Sequence, residues 1–100
     1  MQSCLLALAV SPSMEHAMVD WLLENETVGG FTSLSIHGHG TSLHSLSTAE
    51  QVAGRKGQIL FQLYLPVAAA REVVAALRRE FQGSGMHYWI TPLLEAGHLD

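Results

Sequence analysis

The chain has 100 residues, of which 48% are hydrophobic and 14% are charged, and its formal net charge is −4. This composition excludes an intrinsically disordered chain, and the length fits a single domain over residues 1–100. The five basic residues form no stripe that could neutralise a row of phosphates, so we expect no nucleic acid partner. Cys4 is the only cysteine, which excludes an internal disulfide and predicts a reducing compartment, the cytoplasm.

The first half of the chain predicts a strand, a helix and a second strand. Residues 5–10 form a continuous apolar run, far shorter than the roughly 20 residues that span a bilayer, so we expect a buried strand and no membrane insertion. Ser11 and Pro12 are typical of a helix start, and a glycine pair ends the helix. The predicted buried stripe of this helix is Met14, Met18, Trp21 and Leu22. A second strand is predicted over residues 31–39.

The second half repeats this pattern. Residues 59–65 predict a buried strand, Pro66 starts a second helix, and residues 87–94 predict a last strand. The helix-starting prolines, Pro12 and Pro66, are separated by the same distance as the glycines that end the two helices. Two matching β-α-β units predict an α+β, ferredoxin-like βαββαβ domain, which has an antiparallel sheet with both helices on one face.

The two strands expected at the centre of this sheet are apolar on both faces. All of residues 5–10 are apolar, and Leu60 and Tyr64 alternate with the apolar residues of the opposite face. A sheet with helices on one face usually alternates apolar and polar residues, and soluble monomers rarely expose more than roughly a few hundred Å² of contiguous apolar surface. We therefore expect a homo-oligomer that packs through its sheets.

A long connection, about residues 40–57, joins the second predicted strand to the third. Connections of this length are usually functional or disordered, so we expect either a segment that docks on a partner or a tolerated insertion. The residues that we expect to contact a partner are Leu43, Leu46, Glu50, Gln51 and Val52.

Two short stretches resemble a known superfamily. A strand that runs from Gly30 into Gly38 and Gly40 is similar to the glycine-bounded strand of PII signal-transduction proteins, and the long connection takes the place of their T-loop. Residues 50–55, followed by an apolar strand, and Tyr88 next to Trp89 in the last strand are similar to a small bacterial PII-like family of unassigned function whose genes accompany heavy-metal efflux systems. The resemblance covers nearly the whole chain. It implies a cytoplasmic homotrimer that regulates a partner such as a membrane transporter or efflux component.

The resemblance also implies a ligand site. PII proteins bind ATP or ADP between subunits, through the glycine-ended strand, a basic glycine-rich loop after the second helix and basic residues near the C-terminus. Here that loop, residues 82–85, and the tail after residue 92 contain no lysine or arginine, so we expect ATP and ADP to bind weakly or not at all. Arg55 and Lys56 are the only cations that we expect near a phosphate. The candidate ligand-binding residues are Gly38, Gly40, Arg55, Lys56, Gly83 and Gly85.

A histidine cluster offers a second kind of site. His37 and His39 are two residues apart on a predicted strand, so both lie on one side of an extended chain, and His44 is near enough in sequence to join them. Neutral imidazole suits zinc, copper or nickel. The sequence therefore predicts a possible transition-metal site at His37, His39 and His44, and the usual alternative for such a pair is a solvent-facing strand end.

The remaining class is an enzyme. No serine or cysteine has a histidine and a carboxylate at a suggestive spacing, so we expect no catalytic activity. The main hypothesis is a PII-like sensor that binds a small ligand or metal ion near the base of the long connection and docks that connection on a partner. The alternatives are a structural trimer that resembles CutA-type proteins and a nucleotide-binding signalling protein of the PII type.

Overall fold

The computed structural model describes residues 2–39 and 56–100 of the chain. The described elements, in chain order, are β1 (Ser3–Val10), a short 3₁₀ turn (Pro12–Met14), α1 (Glu15–Glu24), β2 (Thr32–Gly38), β3 (Lys56–Pro66), α2 (Val67–Glu80) and β4 (His87–Pro92). Within the described residues, 2–39 and 56–100, neither helix has the length and hydropathy needed to cross a membrane.

The four strands form one antiparallel sheet in the order β2-β3-β1-β4. β1 and β3 are therefore the central strands, which confirms the predicted ferredoxin-like arrangement. The register places the C-terminal ends of β1 and β2 and the N-terminal ends of β3 and β4 at one end of the sheet, with Val10 opposite Ile59 and Ala9 opposite His87.

The hydrophobic core lies between the sheet and the two helices. Alternate residues of β1, namely Cys4, Leu6, Leu8 and Val10, are buried on this face together with the odd-numbered residues of β3 from Ile59 to Leu65. Met18 and Leu22 of α1, and Ala70, Val73, Val74 and Leu77 of α2, cover them. Both helices pack on the same side of the sheet. The buried stripe of each helix therefore contacts the alternate residues of β1 and β3 that point to that side.

The opposite side of the sheet, here called the open face, has no helix among the described residues. Ala7, Ala9 and Leu60 form a second, small apolar cluster on this face, against which Ile36 packs. Around this cluster Leu34, Tyr64 and Trp89 remain 43–52% exposed. The expectation that the central strands are apolar on both faces is therefore confirmed.

The helices begin and end at different places from those predicted. Pro12 starts only a 3₁₀ turn, and the Ser11 hydroxyl makes no capping bond but instead contacts the Ser13 hydroxyl at 3.1 Å. α1 ends at Glu24, well before the glycine pair, because the next residue, Asn25, forms a turn in which its side-chain oxygen accepts a bond from the Thr27 amide at 2.9 Å.

The predicted connection over residues 40–57 is shorter than expected. β3 begins at Lys56, which pairs with Gly38, and Gly57 pairs with His37, so two residues that the sequence assigns to the connection belong to the strand. The apolar run starts only at Ile59 because the preceding residues pair with the exposed end of β2, beyond the core. The last strand also ends earlier than predicted, at Pro92.

Candidate functional site

The segment between α2 and β4 contains a tight glycine turn, defined here as residues 82–85. Gly83 and Gly85 have φ angles of +78° and +76°, in the left-handed region that residues with a Cβ adopt only at a cost. The Ser84 amide donates to the Phe81 carbonyl at 3.1 Å, and the Met86 amide donates to the Ser84 hydroxyl at 3.4 Å. These bonds and the two glycines reverse the chain directly after the helix and lead it into β4.

A cavity of about 340 Å³ lies between this turn, the last turns of α2 and the sheet. The apolar part of its wall comes from Leu8, Val74, Leu77, Phe81 and Met86. The glycine turn forms one side, and the polar groups that face it include the side chains of Arg78 and Tyr88. A cavity that combines apolar side chains with convergent polar groups is a common form of small-molecule site.

Arg78 and Tyr88 are in contact at this cavity. The Arg78 guanidinium donates a hydrogen bond to the Tyr88 hydroxyl at 2.8 Å, and its Cζ atom lies 5.5 Å from the centroid of the tyrosine ring. Both side chains are exposed, so both are accessible to a ligand. A guanidinium is a strong donor to phosphate or carboxylate oxygens, so this pair gives the cavity the means to bind an anion.

The structure brings together only part of the predicted ligand set. Gly83 and Gly85 lie in the cavity lining, whereas Gly38, at the end of β2, does not. Gly38 is at the same end of the sheet, but β2 and β4 are the two edge strands, three strand spacings or roughly 14 Å apart. Gly40 and Arg55 lie outside the described residues, as does the side chain of Lys56.

The arginine at the cavity adds a candidate cation to those predicted from the sequence. Arg55 and Lys56 are not the only candidate cations, because Arg78 lines the cavity beside the glycine turn. Its position was available in the sequence: residue 78 is one helical turn before Gln82, on the last turn of a helix that a glycine turn ends. Tyr88 belongs to a sequence motif of the last strand, but its contact with Arg78 depends on the pairing of β4 with β1.

The predicted metal ligands are only partly described. His37 lies in β2 and His39 directly follows that strand, and both side chains are exposed. Among residues 2–39 and 56–100, no three histidine, cysteine or acidic side chains come together as a metal site. His44 lies outside the described residues, and so do the predicted docking residues Leu43, Leu46, Glu50, Gln51 and Val52.

The thiol of Cys4 is fully buried in the core, as predicted for a small apolar side chain. Burial raises the pKa of Cys4 above its ordinary value, and the positive charge of Arg71 acts in the opposite direction. The thiol is therefore held in its neutral form, which makes it a packing residue and not a nucleophile.

The sheet order and the placement of both helices on one face define a ferredoxin-like α+β fold, which is similar to the fold of PII-like proteins. A family model described as a protein of unknown function, DUF3240, matches residues 1–100. The chain therefore belongs to the DUF3240 family. None of the curated proteins compared with it matches.

Solved structures support the fold. A DUF3240 family protein from Shewanella baltica OS155 is 24% identical, with a TM-score of 0.80 over 100% of this chain and 99% of that one. CPII, a nitrogen regulatory PII-like protein from Thiomonas intermedia K12 bound to ADP, AMP and bicarbonate, is 14% identical, with a TM-score of 0.70 over 98% and 96%. The GlnK–ATP complex of B. subtilis is 12% identical, with a TM-score of 0.59 over 92% and 82%.

Proposed function

We propose that this chain is a PII-like regulatory protein of the cytoplasm, without catalytic activity, that senses a small anionic ligand in the cavity beside the glycine turn. The observation that carries the proposal is the convergence of Arg78, Tyr88 and the glycine turn on one cavity. Two proteins with a similar fold are described as bound to adenine nucleotides, which makes nucleotides the first ligands to test. The single cysteine supports the cytoplasmic setting.

The proposal includes a homotrimer that packs through the open face. Trp89, Tyr64 and Leu34 are large apolar or aromatic side chains that are about half exposed around the small apolar cluster of this face. Side chains of this kind are favoured at subunit interfaces, and small residues in the centre of the patch let two sheets approach closely. Two further copies of this chain, each with the same face, are the partners that the proposal assigns to this surface.

The output of the sensor would be docking on a partner such as a transporter or efflux component. The segment over residues 40–55 starts after β2 and returns to β3, and its apolar residues Leu43, Leu46 and Val52 support a docking role. A ligand can bias this docking only by the difference between its affinities for the free and docked states. A CutA-like structural trimer would have the same subunit packing but no response of this segment to a ligand.

A transition-metal ion is the second ligand class. This class is supported by His37 and His39, which are two residues apart at the end of β2 and are both exposed. Two imidazoles alone make a weak site, so a tight one would need a third ligand such as His44. If the His37→Ala, His39→Ala double variant binds zinc, copper and nickel as the parent does, the metal hypothesis is wrong.

Limited proteolysis tests the sensing proposal. Cleavage within residues 41–56 is followed by mass spectrometry with and without AMP or ADP, in the parent chain and in two variants. We expect the ligand to slow cleavage in the parent and in Arg79→Ala, but not in Arg78→Ala. Arg79 is the matched control because it is exposed on the same helical turn and does not line the cavity. Ligand binding that leaves the cleavage rate unchanged would favour the structural trimer.

A further inference from the structure

We infer that His87 makes the assembly of this chain sensitive to pH. The copies stay associated through the open face while the imidazole of His87 is neutral, and they separate when it is protonated. This regulation rests on the proposed function, because it acts on the surface that the proposal assigns to the contacts between copies. Histidine is the side chain whose charge ordinarily changes between about pH 5 and pH 8.

The pairing of the strands places His87 beside the apolar cluster of the open face. His87 is opposite Ala9 of β1, and Ala9 is opposite Leu60 of β3. Ala9 and Leu60 belong to this cluster and are both buried. Residues that are directly opposite in an antiparallel pair share one face of the sheet, so the imidazole is on the open face. His87 itself is exposed in the single chain.

Trp89 connects His87 to the proposed interface. It follows His87 by two residues in β4 and is opposite Ala7 on the same face. Side chains two residues apart on a strand are roughly 7 Å from each other. A copy of the chain that covers Trp89 and the apolar cluster therefore also covers the imidazole of His87.

The strands supply no counter-charge for a protonated His87. None of β1, β2, β3 and β4, as the structure describes them, contains an aspartate or a glutamate. The surface that covers His87 in a homo-oligomer has the same strands, so it brings no strand carboxylate either. A neutral imidazole can be buried at modest cost, whereas a buried charge without a partner is strongly unfavourable. Protonation of His87 therefore favours the separated chains.

The charged groups of the helices lie on the other side of the sheet. Arg78 contacts Tyr88, which is opposite the core residue Leu8 and not on the open face. Both helices pack on this core side. Their titratable and charged residues are Glu15, His16, Asp20, Glu24, Arg71, Glu72, Arg78, Arg79 and Glu80.

The other titratable groups of the strands are placed away from His87. His37 follows Ile36, which packs on the open face, so strand alternation directs His37 to the core side. Tyr64 is on the open face opposite Leu5, but a tyrosine hydroxyl stays neutral at neutral and acid pH. Lys56 has an open-face position four residues along β3 from Leu60, roughly 14 Å by the rise of a strand.

The remaining described groups are in the segments that flank the strands. Glu26 lies between α1 and β2, and His39 directly follows β2. The tail begins at the end of β4 opposite to His87, where the Leu93 amide donates to the Ser3 carbonyl at 3.1 Å. Its titratable residues are Glu95, His98 and Asp100. His87 is thus the histidine that the sheet places on the open face.

The sign of the pH effect follows from proton linkage. The separated chains accept a proton on His87 more readily than the assembled chains do, so a lower pH favours separation. Histidine ordinarily titrates near pH 6.5, and below that value each covered imidazole lowers the association constant by up to about tenfold per pH unit. Three covered imidazoles in a trimer would lower it by up to about a thousandfold per pH unit.

Light scattering of the full chain at micromolar concentration, from about pH 8 to about pH 5.5, tests this regulation. We expect the parent to fall from the mass of three chains to that of one chain as the pH is lowered. His87→Gln, which stays neutral, should keep the three-chain mass throughout. His87→Arg, which stays charged, should have the one-chain mass even at the alkaline end. His16→Gln is the matched control: His16 is exposed on α1, on the other side of the sheet, so this variant should respond to pH as the parent does.

The outcomes distinguish the regulation from the assembly itself. A parent with the one-chain mass at the alkaline end would overturn both. A folded parent that keeps its three-chain mass at the acid end, or a His87→Gln variant that separates at the same pH as the parent, would overturn the regulation and leave the assembly standing. Circular dichroism at each pH shows whether the chain is folded. If acid unfolds the parent, His87→Arg decides at the alkaline end, where a folded three-chain variant would overturn the role of His87.

Discussion

The guanidinium of Arg78 donates a hydrogen bond to the hydroxyl of Tyr88 at 2.8 Å, and this contact joins the last turn of α2 to β4 at the proposed ligand site. The two residues are ten positions apart, and the glycine turn between them makes the contact possible. Among the described residues, Arg78 is the one cation that lines the cavity, and its guanidinium already donates to a neutral acceptor. A bound phosphate would replace that acceptor.

A Tyr88→Phe substitution tests this competition. The change keeps the ring beside the guanidinium and removes only the hydroxyl that accepts its hydrogen bond. Because a neutral hydrogen bond contributes about 0.5–1.5 kcal/mol, we expect AMP to bind about twofold to tenfold more tightly. Calorimetry measures the difference. Weaker binding in a folded Tyr88→Phe variant would mean that the hydroxyl positions the guanidinium or contacts the ligand itself.

The glycine turn should be sensitive to the loss of its second glycine. A Cβ added to Gly85 would meet no atom within 4 Å, so the cost of Gly85→Ala comes from the positive φ of +76°. We expect a loss of about 1–2 kcal/mol in the free energy of unfolding, measured by urea denaturation. Gly30→Ala is the control, since its surroundings are equally open and its backbone is outside the left-handed region. Equal effects of the two substitutions would contradict this account of the turn.

The open face should control the oligomeric state. Trp89 pairs with Ala7 on this face and is 46% exposed in the single chain. Trp89→Asp would place a charge in the proposed interface, and we expect the mass to fall from three times 10.9 kDa to that of one chain. Light scattering at micromolar concentration measures the mass.

Leu23 provides the matched control for this prediction. It is 70% exposed on α1, away from the open face, so Leu23→Asp should leave the mass unchanged. A parent chain that is monomeric at micromolar concentration would overturn the trimer, and a trimer that survives Trp89→Asp would show that the subunits meet elsewhere.

The buried thiol of Cys4 predicts a pH dependence of stability. Its pKa is raised in the folded state, so at alkaline pH the unfolded chain loses this proton before the folded chain does. The stabilisation is therefore complete below the ordinary cysteine pKa of about 8.5 and is lost as the pH rises towards the folded value, by at most about 1.4 kcal/mol per pH unit. Urea denaturation from pH 7 to pH 10 should show a steeper loss for the parent than for Cys4→Ala. Parallel curves for the two proteins would contradict this reasoning.

Much of the fold could be predicted from the sequence because its patterns are local. The apolar run at residues 5–10, the helix start at Pro66 and the two apolar faces of β3 each reflect burial or backbone geometry over a few residues, and the structure confirms all three. The ends of elements were predicted less well. Asn25 ended α1 through a side-chain turn, and β3 extended back to Lys56 through backbone pairing that needs no apolar residue.

The candidate site could be predicted only in part because it is assembled by tertiary contacts. Gly83 and Gly85 are predicted by the resemblance to PII proteins and by their place at the end of the second helix, where a turn favours glycine. Arg78 was missed as a site residue because an arginine near a helix end is usually solvated, and only the return of β4 beside β1 brings Tyr88 to it. The predictions for residues 40–55 fall outside the described residues and stay predictions.

The most direct test of the central claim is to locate AMP binding by NMR on the uniformly ¹⁵N-labelled chain. The proposal predicts saturable shifts of the Gly83, Ser84 and Gly85 amides, with the same apparent affinity as in calorimetry, and their loss in Arg78→Ala but not in Arg79→Ala. No change at these amides up to millimolar AMP, or changes confined to other parts of the chain, would contradict the assignment of the ligand site to the cavity beside the glycine turn.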